Sequence, residues 1–308
     1  MNRRKFLKLL SLTGVGTYLF GSGSLKNMSV QSLFAEKTPP YDIALVKNSD
    51  IPKNVKTAID LVGGINRFIT KGDIVMIKPN LGWARTPEQA ANTNPTVLRT
   101  IIELCFQAGA KKVRITDNTC NDPRKTFALS GAHQVAKETG AELFYSEKWE
   151  FKEMNINGNV IKDWPVNREI ISADKIINVP IAKNHALAKL TLGMKNWFGA
   201  VGGARNQLHQ DINETISDLA CYFKPTLTII DAIRILVRNG PTGGNLNDVV
   251  VKDTIIASTD PVAADSLAAT LFSMKGSDLG YIVNAEKRGL GTMDYNKLRY
   301  KELIHTVT

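Results

Sequence analysis

Five short apolar runs in this chain each lead into charged or polar residues, and amphipathic helical stretches separate most of them. Ile77 runs into Lys78-Pro79-Asn80, Thr116 into Asp117-Asn118, Val179 into Lys183 and His185, Ile230 into Asp231, and Ala257 into Ser258-Thr259-Asp260. Apolar runs of this length suit strands buried on both faces, and strands that alternate with helices build parallel sheets. The expected fold is α/β, a mostly parallel sheet flanked by helices. In such sheets ligands sit in the crevice beyond the carboxyl ends of the strands. Lys78, Asp117, Lys183, His185, Asp231 and Asp260 are therefore expected at one polar crevice. The plainer alternative is that polarity resumes wherever a strand ends. It accounts for scattered polar residues, but less well for charge recurring directly after apolar runs.

Periodicity and end signals predict strands at 41–46, 73–77, 112–116, 141–145, 175–179, 226–230 and 254–257. Helices are expected at 52–62, 95–106, 126–139, 212–223 and 261–274. Asn94 offers a side-chain oxygen to free amides, Pro95 suits the first helical position, and Gly109 ends that helix. The exception is 151–166, where Asn157-Gly158 lies between two apolar-alternating arms. That pair predicts a β-hairpin with a two-residue turn, an excursion from the core. One large α/β domain over 36–308, or two intimately joined lobes, is expected.

Residues 1–35 read differently. Arg3-Arg4-Lys5-Phe6-Leu7-Lys8 precedes a short, weakly apolar stretch ending near Phe20. This is the pattern of a twin-arginine export signal. The stretch is short for a membrane span, which takes about 20 apolar residues. Cleavage after Ala35 would leave a mature chain without a transmembrane domain, exported to the periplasm or cell envelope by the twin-arginine translocation machinery. An amphipathic N-terminal helix, or retention as an anchor, is the alternative. Loss of Arg3, Arg4, Lys5, Lys8 and Lys26 lowers the formal net charge from +10 to +5. That mild excess suits a small anionic ligand and not a nucleic-acid partner.

The densest chemistry comes after 176–181. Lys183, His185, Lys189, Lys195, Asn196, Trp197 and His209 lie within an otherwise apolar, glycine-rich segment. Such a segment is half buried, and lysines in it need anionic partners because an unpaired buried charge is costly. His185 and His209 are acid/base candidates, with Lys78, Lys183 and Lys195 stabilising charge and Asp231 as a carboxylate partner. Asn80, Asp117, Asn196 and Asp260 are candidates for holding a ligand or cofactor. His133 and His305 read as ordinary surface or core histidines, and Trp197 is at least as well explained by core packing. No H-x-H or H-E-x-x-H spacing supports a metal, so none is expected.

The glycine stretches 199–205 and 240–244 match neither a P-loop nor a dinucleotide fingerprint. Their amides, with Arg205 or Arg238, could hold a phosphate or carboxylate, or they are flexible turns. Cys105, Cys120 and Cys221 are too few and too scattered for an intrinsic iron–sulfur cluster.

Short motifs carry a resemblance at this point. Ile77-Lys78-Pro79-Asn80-Leu81, Thr93-Asn94-Pro95, Lys183-Asn184-His185, Gly193-Met194-Lys195-Asn196, Asp231-Ala232-Ile233 and Asp260-Pro261-Val262-Ala263-Ala264-Asp265 stand in order. Their order and spacing resemble the family called domain of unknown function 362, over about 41–271. The resemblance implies an α/β domain of mostly unassigned biochemistry, often with an export signal and sometimes with an added ferredoxin-like domain. The cysteines of that added domain are absent here, and Asn184 stands where the family usually has threonine. A more distant likeness, to nickel-cofactor lactate racemases, has no intact motif to stand on. Two functional expectations result: an exported enzyme acting on a small anionic substrate, or a non-catalytic accessory protein for maturation of exported redox enzymes. The cofactor is left open.

Overall fold

Alternation along the strands decides the layering. In β1 (Ile43–Lys47), Ile43 and Leu45 enter one hydrophobic core while Ala44 and Val46 enter the other. A strand with apolar residues on both faces must be covered on both. The structure, a computed structural model, describes residues 39–305. The expected export signal at 1–35 lies outside the described residues. The described residues from Pro40 to His305 cluster as one compact unit.

Chain order continues with α1 (Ile51–Leu61), β2 (Ile74–Pro79), α2 (Pro95–Gln107), β3 (Lys112–Asp117), α3 (Pro123–Leu129), α4 (Ala132–Thr139) and β4 (Glu142–Tyr145). A hairpin, β5 (Phe151–Asn155) and β6 (Asp163–Asn167), leads to the short α5 (Arg168–Ile171). Then come β7 (Lys175–Val179), β8 (Ile181–His185), β9 (Lys189–Thr191), α6 (Ile212–Phe223) and β10 (Leu227–Leu236). β11 (Val249–Ser258), α7 (Pro261–Ala269), α8 (Gly280–Lys287) and β12 (Tyr300–Ile304) complete the described residues.

The main sheet runs β12-β1-β11-β10-β7-β2-β3-β4, with β8 and β9 attached beside β10. Every neighbouring pair along that path is parallel except the two made by β11. The fold is thus α/β, a mixed sheet of mostly parallel strands flanked by helices. Buried residues of α1, α2 and α4 pack in one core. Those of α6, α7 and α8 pack in the other.

End signals act as expected at α2. The Asn94 side chain accepts from the Thr96 N–H at 2.8 Å, Pro95 opens the helix, and Gly109 comes after it with φ of 90°. Elsewhere tertiary contacts move the boundaries. The single helix expected over 126–139 is two, broken at Gly131, whose φ of 80° is left-handed and interrupts the ladder. The helix expected to reach 274 ends at Ala269, and a 3₁₀ turn succeeds it.

The hairpin at 151–167 is a separate two-stranded sheet. Its tight turn falls on Asn159-Val160, closed by the Gly158 N–H donating to the Ile161 carbonyl at 2.8 Å, and not on Asn157-Gly158. The cause is Asp218 on α6. Its carboxylate accepts the N–H groups of Asn159, Val160 and Ile161 at 2.8, 2.9 and 3.0 Å. Three charge-assisted bonds outweigh a local turn preference.

Candidate functional site

Two strand ends and one 3₁₀ segment bring the cationic residues together. β2 ends at Lys78-Pro79 and β3 at Asp117, on neighbouring parallel strands. Pro180 cannot donate to a ladder, and past it the chain resumes as β8, parallel to β10 and antiparallel to β9. Alternation along β8 sets Lys183 and His185 on one face. Lys195–Ala200 forms the 3₁₀ segment that delivers Lys195 and Asn196.

These elements enclose a cavity of about 690 Å³. Asn80, Asp117, Lys183, His185, Lys195 and Asn196 line it, as does His209. Lys78 lies beneath, fully buried, its Nζ 2.9 Å from Asp117 Oδ1. The other Asp117 oxygen accepts from the Leu81 N–H. Asn196 ties the floor together. Its Nδ2 donates to Asn178 Oδ1 at 2.8 Å and to the Lys78 carbonyl at 3.0 Å, while its Oδ1 accepts from Asn80 Nδ2 at 3.0 Å.

Asp231 and Asp260 are not on this cavity, contrary to the expectation that every strand-end charge meets there. β10 continues five residues beyond Asp231 to Leu236, so Asp231 is mid-strand and not at a strand end. Its carboxylate accepts from the Asn94 and Ile233 N–H groups at 2.7 and 3.0 Å. Asp260 is the N-cap of α7, accepting from Val262 and Ala263 at 2.9 Å each and from Thr292 at 3.0 Å. Both aspartates hold backbone. Lys189, in the same dense stretch, is exposed and donates to the Asp278 carbonyl at 2.8 Å.

The three buried lysines differ in their partners. Lys78 has Asp117. Lys183 Nζ donates to Asn80 Oδ1 at 2.9 Å and to the Ala91 carbonyl. Lys195 Nζ sits 3.2 Å from the centre of the Phe198 ring, and among the described residues it makes no hydrogen bond or ion pair. Burial is the first cause of a lowered pKa in all three. Lys183 is brought down to about 7, and Lys195 falls well below the ordinary lysine value, pushed further by Lys183, Arg205 and Lys78. Asp117 is the one carboxylate on a cavity that also borders Arg205. Lys183, Lys195 and Arg205 therefore face one acid, which is already paired with Lys78 beneath.

The two histidines present opposite roles. His185 Nδ1 accepts the Leu187 and Ala188 N–H groups at 3.2 and 3.1 Å. In the neutral ring the proton then sits on Nε2, which becomes a donor. Burial, then Lys195, pushes His185 down to about 3, so the ring is neutral near pH 7. His209 Nδ1 lies 3.1 Å from the Arg205 carbonyl. A carbonyl only accepts, so Nδ1 carries the proton and Nε2 keeps its lone pair. The rings stack 6.0 Å apart at 13°. Among the described residues neither bonds a carboxylate; backbone groups set both tautomers.

Gly199 explains part of the glycine-rich stretch. A Cβ there would lie 1.7 Å from Asp117 Oδ1 and 2.8 Å from Lys78 Nζ. The glycine lets the segment close over the ion pair. Arg205 donates to the Asn118 and Thr119 carbonyls at 2.7 and 2.9 Å, fastening the loop after β3 to the segment after Lys195.

The family model described as Domain of unknown function (DUF362) matches residues 75–270, a span that holds every residue of this cavity. The chain belongs to that family. A relative of this DUF362 protein, the "Thylakoid-associated protein sll1697" of Synechocystis sp., is 25% identical over 245 residues, covering 77% of this chain and 74% of the relative. Among solved structures, the lactate racemase apoprotein from Thermoanaerobacterium thermosaccharolyticum aligns at a TM-score of 0.45 and 13% identity over 74% of this chain. This DUF362 chain spans 56% of that protein's length. A Thermotoga maritima protein aligns at 0.38 and 11% identity, with 73% and 59% of the two chains covered.

Sequence reasoning missed Trp83, which borders the cavity from the loop after β2. The crevice rule applied to Lys78-Pro79-Asn80 reaches it three residues further on. Thr191 and Pro241 also line the cavity. They come from a short strand and a turn whose pairing with β8 and with Asn184 carries no local signal.

Proposed function

We propose that this DUF362 protein is an exported enzyme that binds an organic anion in the cavity and moves a proton at it. The observation that carries the reading is Lys195, a lysine 6% exposed and without a hydrogen-bonding partner among the described residues. A buried ammonium without an anion is costly, and a bound carboxylate or phosphate would remove that cost. Lys183 and Arg205 add positive potential on the same cavity. His209 Nε2, with its lone pair, is the proton acceptor, and the neutral His185 ring donates a hydrogen bond from Nε2–H that polarises the bound group. An ammonium near the reacting centre would stabilise charge that develops there. Residues 1–35, with Arg3-Arg4, supply the export half of the reading.

Thermal unfolding in sulfate or phosphate tests the anion half. Wild-type protein should be protected, and Lys195→Met much less so. Equal protection in both would show that Lys195 is not an anion ligand. Replacing Arg3 and Arg4 together by lysine should leave the protein in the cytoplasm, and unchanged export would refute that half independently.

A further inference from the structure

The cavity is far larger than an inorganic or two-carbon anion, and its walls change character with depth. A volume near 690 Å³ falls in the range of about 300–1,000 Å³ that takes drug-sized ligands. The floor is polar and closed: Lys183, Lys195 and Asn196 are 1%, 6% and 1% exposed. The rim is apolar, formed by Trp83, Pro241, Ala186 and Leu187. Leu187 is 63% exposed at the tip of the turn between β8 and β9. The main chain of Trp83 is held in place. Its backbone N–H donates to Asn92 Oδ1 at 3.1 Å, and Asn92 Nδ2 donates to its backbone carbonyl at 2.7 Å. Asn92 is itself 2% exposed, so the loop carrying the indole is anchored in the interior. An aromatic residue on a held backbone needs less ordering when its ring contacts a flat partner.

We propose that the ligand is an amphipathic organic anion that enters head first. Its carboxylate or phosphate meets Lys195, and a flat apolar body lies against Trp83 and Leu187. The proposal rests on the anion reading above and adds the body. A small inorganic anion satisfies the floor and leaves the rim wet. A ring-bearing anion satisfies both, and burying apolar rim surface adds to affinity. Trp83 and Leu187 are then specificity-determining residues that discriminate among anions by the size and shape of the body attached to the charged group.

Isothermal titration of the full chain with acetate, 2-naphthoate and neutral 2-naphthol, monitored also by tryptophan fluorescence, tests this. Naphthoate should bind at least roughly tenfold more tightly than acetate, an advantage of the size a buried aromatic contact supplies. Trp83→Ala should remove most of that advantage and leave acetate nearly unchanged. Lys195→Met should weaken both anions together. Leu187→Ser, at an exposed position that cannot disturb the core, should reduce the advantage in part and serves if Trp83→Ala folds poorly. Equal affinity for acetate and naphthoate, or an advantage untouched by both rim variants, would overturn the amphipathic body while leaving the anion site standing. Naphthol binding as tightly as naphthoate, or anion binding indifferent to Lys195→Met, would overturn the anion reading and the proposal with it.

Discussion

The buried lysines and the aspartates of this molecule are finished to different degrees. Burial is the leading cause that raises the pKa of Asp231, Asp260 and Asp265, with Asp231 near 6 and Asp265 near 7. It is also the leading cause that lowers Lys78, Lys183 and Lys195. The direction toward neutrality is common to both classes; the partners are not. Each aspartate accepts two or three backbone N–H groups. Asp265 accepts from Gly193 at 2.7 Å and Met194 at 2.9 Å, just ahead of the segment that presents Lys195. Among the lysines, Lys78 has a carboxylate, Lys183 has two neutral oxygens, and Lys195 has a ring face. A perturbed pKa alone does not separate structural groups from ligand-facing ones. The partner set does.

The largest effect that would test this contrast is at Gly199. Gly199→Ala drives a methyl group into the Lys78–Asp117 pair, and disrupting a buried pair costs about 3–5 kcal/mol. Denaturant unfolding should register it, and a loss below about 1 kcal/mol would mean that the segment relaxes freely away from the pair. Next comes Asp265→Ala, which leaves two buried amides unmatched at about 1–3 kcal/mol each. If aspartates are structural and lysines are not, Lys195→Met should behave oppositely. Its ligand-free stability should stay within about 1 kcal/mol of wild type or rise, because an apolar residue replaces an unpartnered charge. Its anion affinity should fall by roughly 1.5–3 kcal/mol, the range for hydrogen bonds to charged groups.

The smallest expected effect is in pH. Lys183 has its pKa lowered to about 7 from 10.5, so its charge is full below pH 7 and lost above. Sulfate keeps its charge throughout, so its affinity should fall by roughly threefold to tenfold from pH 6 to pH 8, the dependence expected for one coupled proton. Ligand-free stability should move the other way. Between about 7 and 10.5 the unfolded chain binds the proton that the folded chain has lost, so stability rises with pH across that window. Sulfate affinity that is flat with pH would place the Lys183 ammonium outside the anion's reach.

Much of the fold was legible because its causes are local. Asn94-Pro95 and Gly109 bound α2 as their chemistry requires. Apolar runs with matched periodicity located β2, β3 and β7 to within a residue or two. The site was legible in part for the same reason. Lys78, Asn80, Asp117 and the 183–209 cluster lie where buried strands or a glycine-rich turn stop being apolar. Asp231 and Asp260 carry the same local signature and serve the backbone instead. The mostly apolar Ala232-Ile233-Arg234-Ile235-Leu236 after Asp231 permits the strand to run on, but the pairing that fixes it is with β11, a strand from further along the chain.

The sequence by itself determined the α/β alternation, the two-faced strands and the short list of cationic and histidine residues, since period, capping and charge density are properties of neighbours along the chain. Only the tertiary structure decided which charges are satisfied. It set Asp218 under the hairpin turn, closed Gly199 over the Lys78–Asp117 pair, fixed the opposite tautomers of His185 and His209, and left Lys195 beneath a rim carrying Trp83. Each of these depends on groups that meet in space from distant segments, and desolvation and hydrogen bonding respond to that meeting, not to position in the chain.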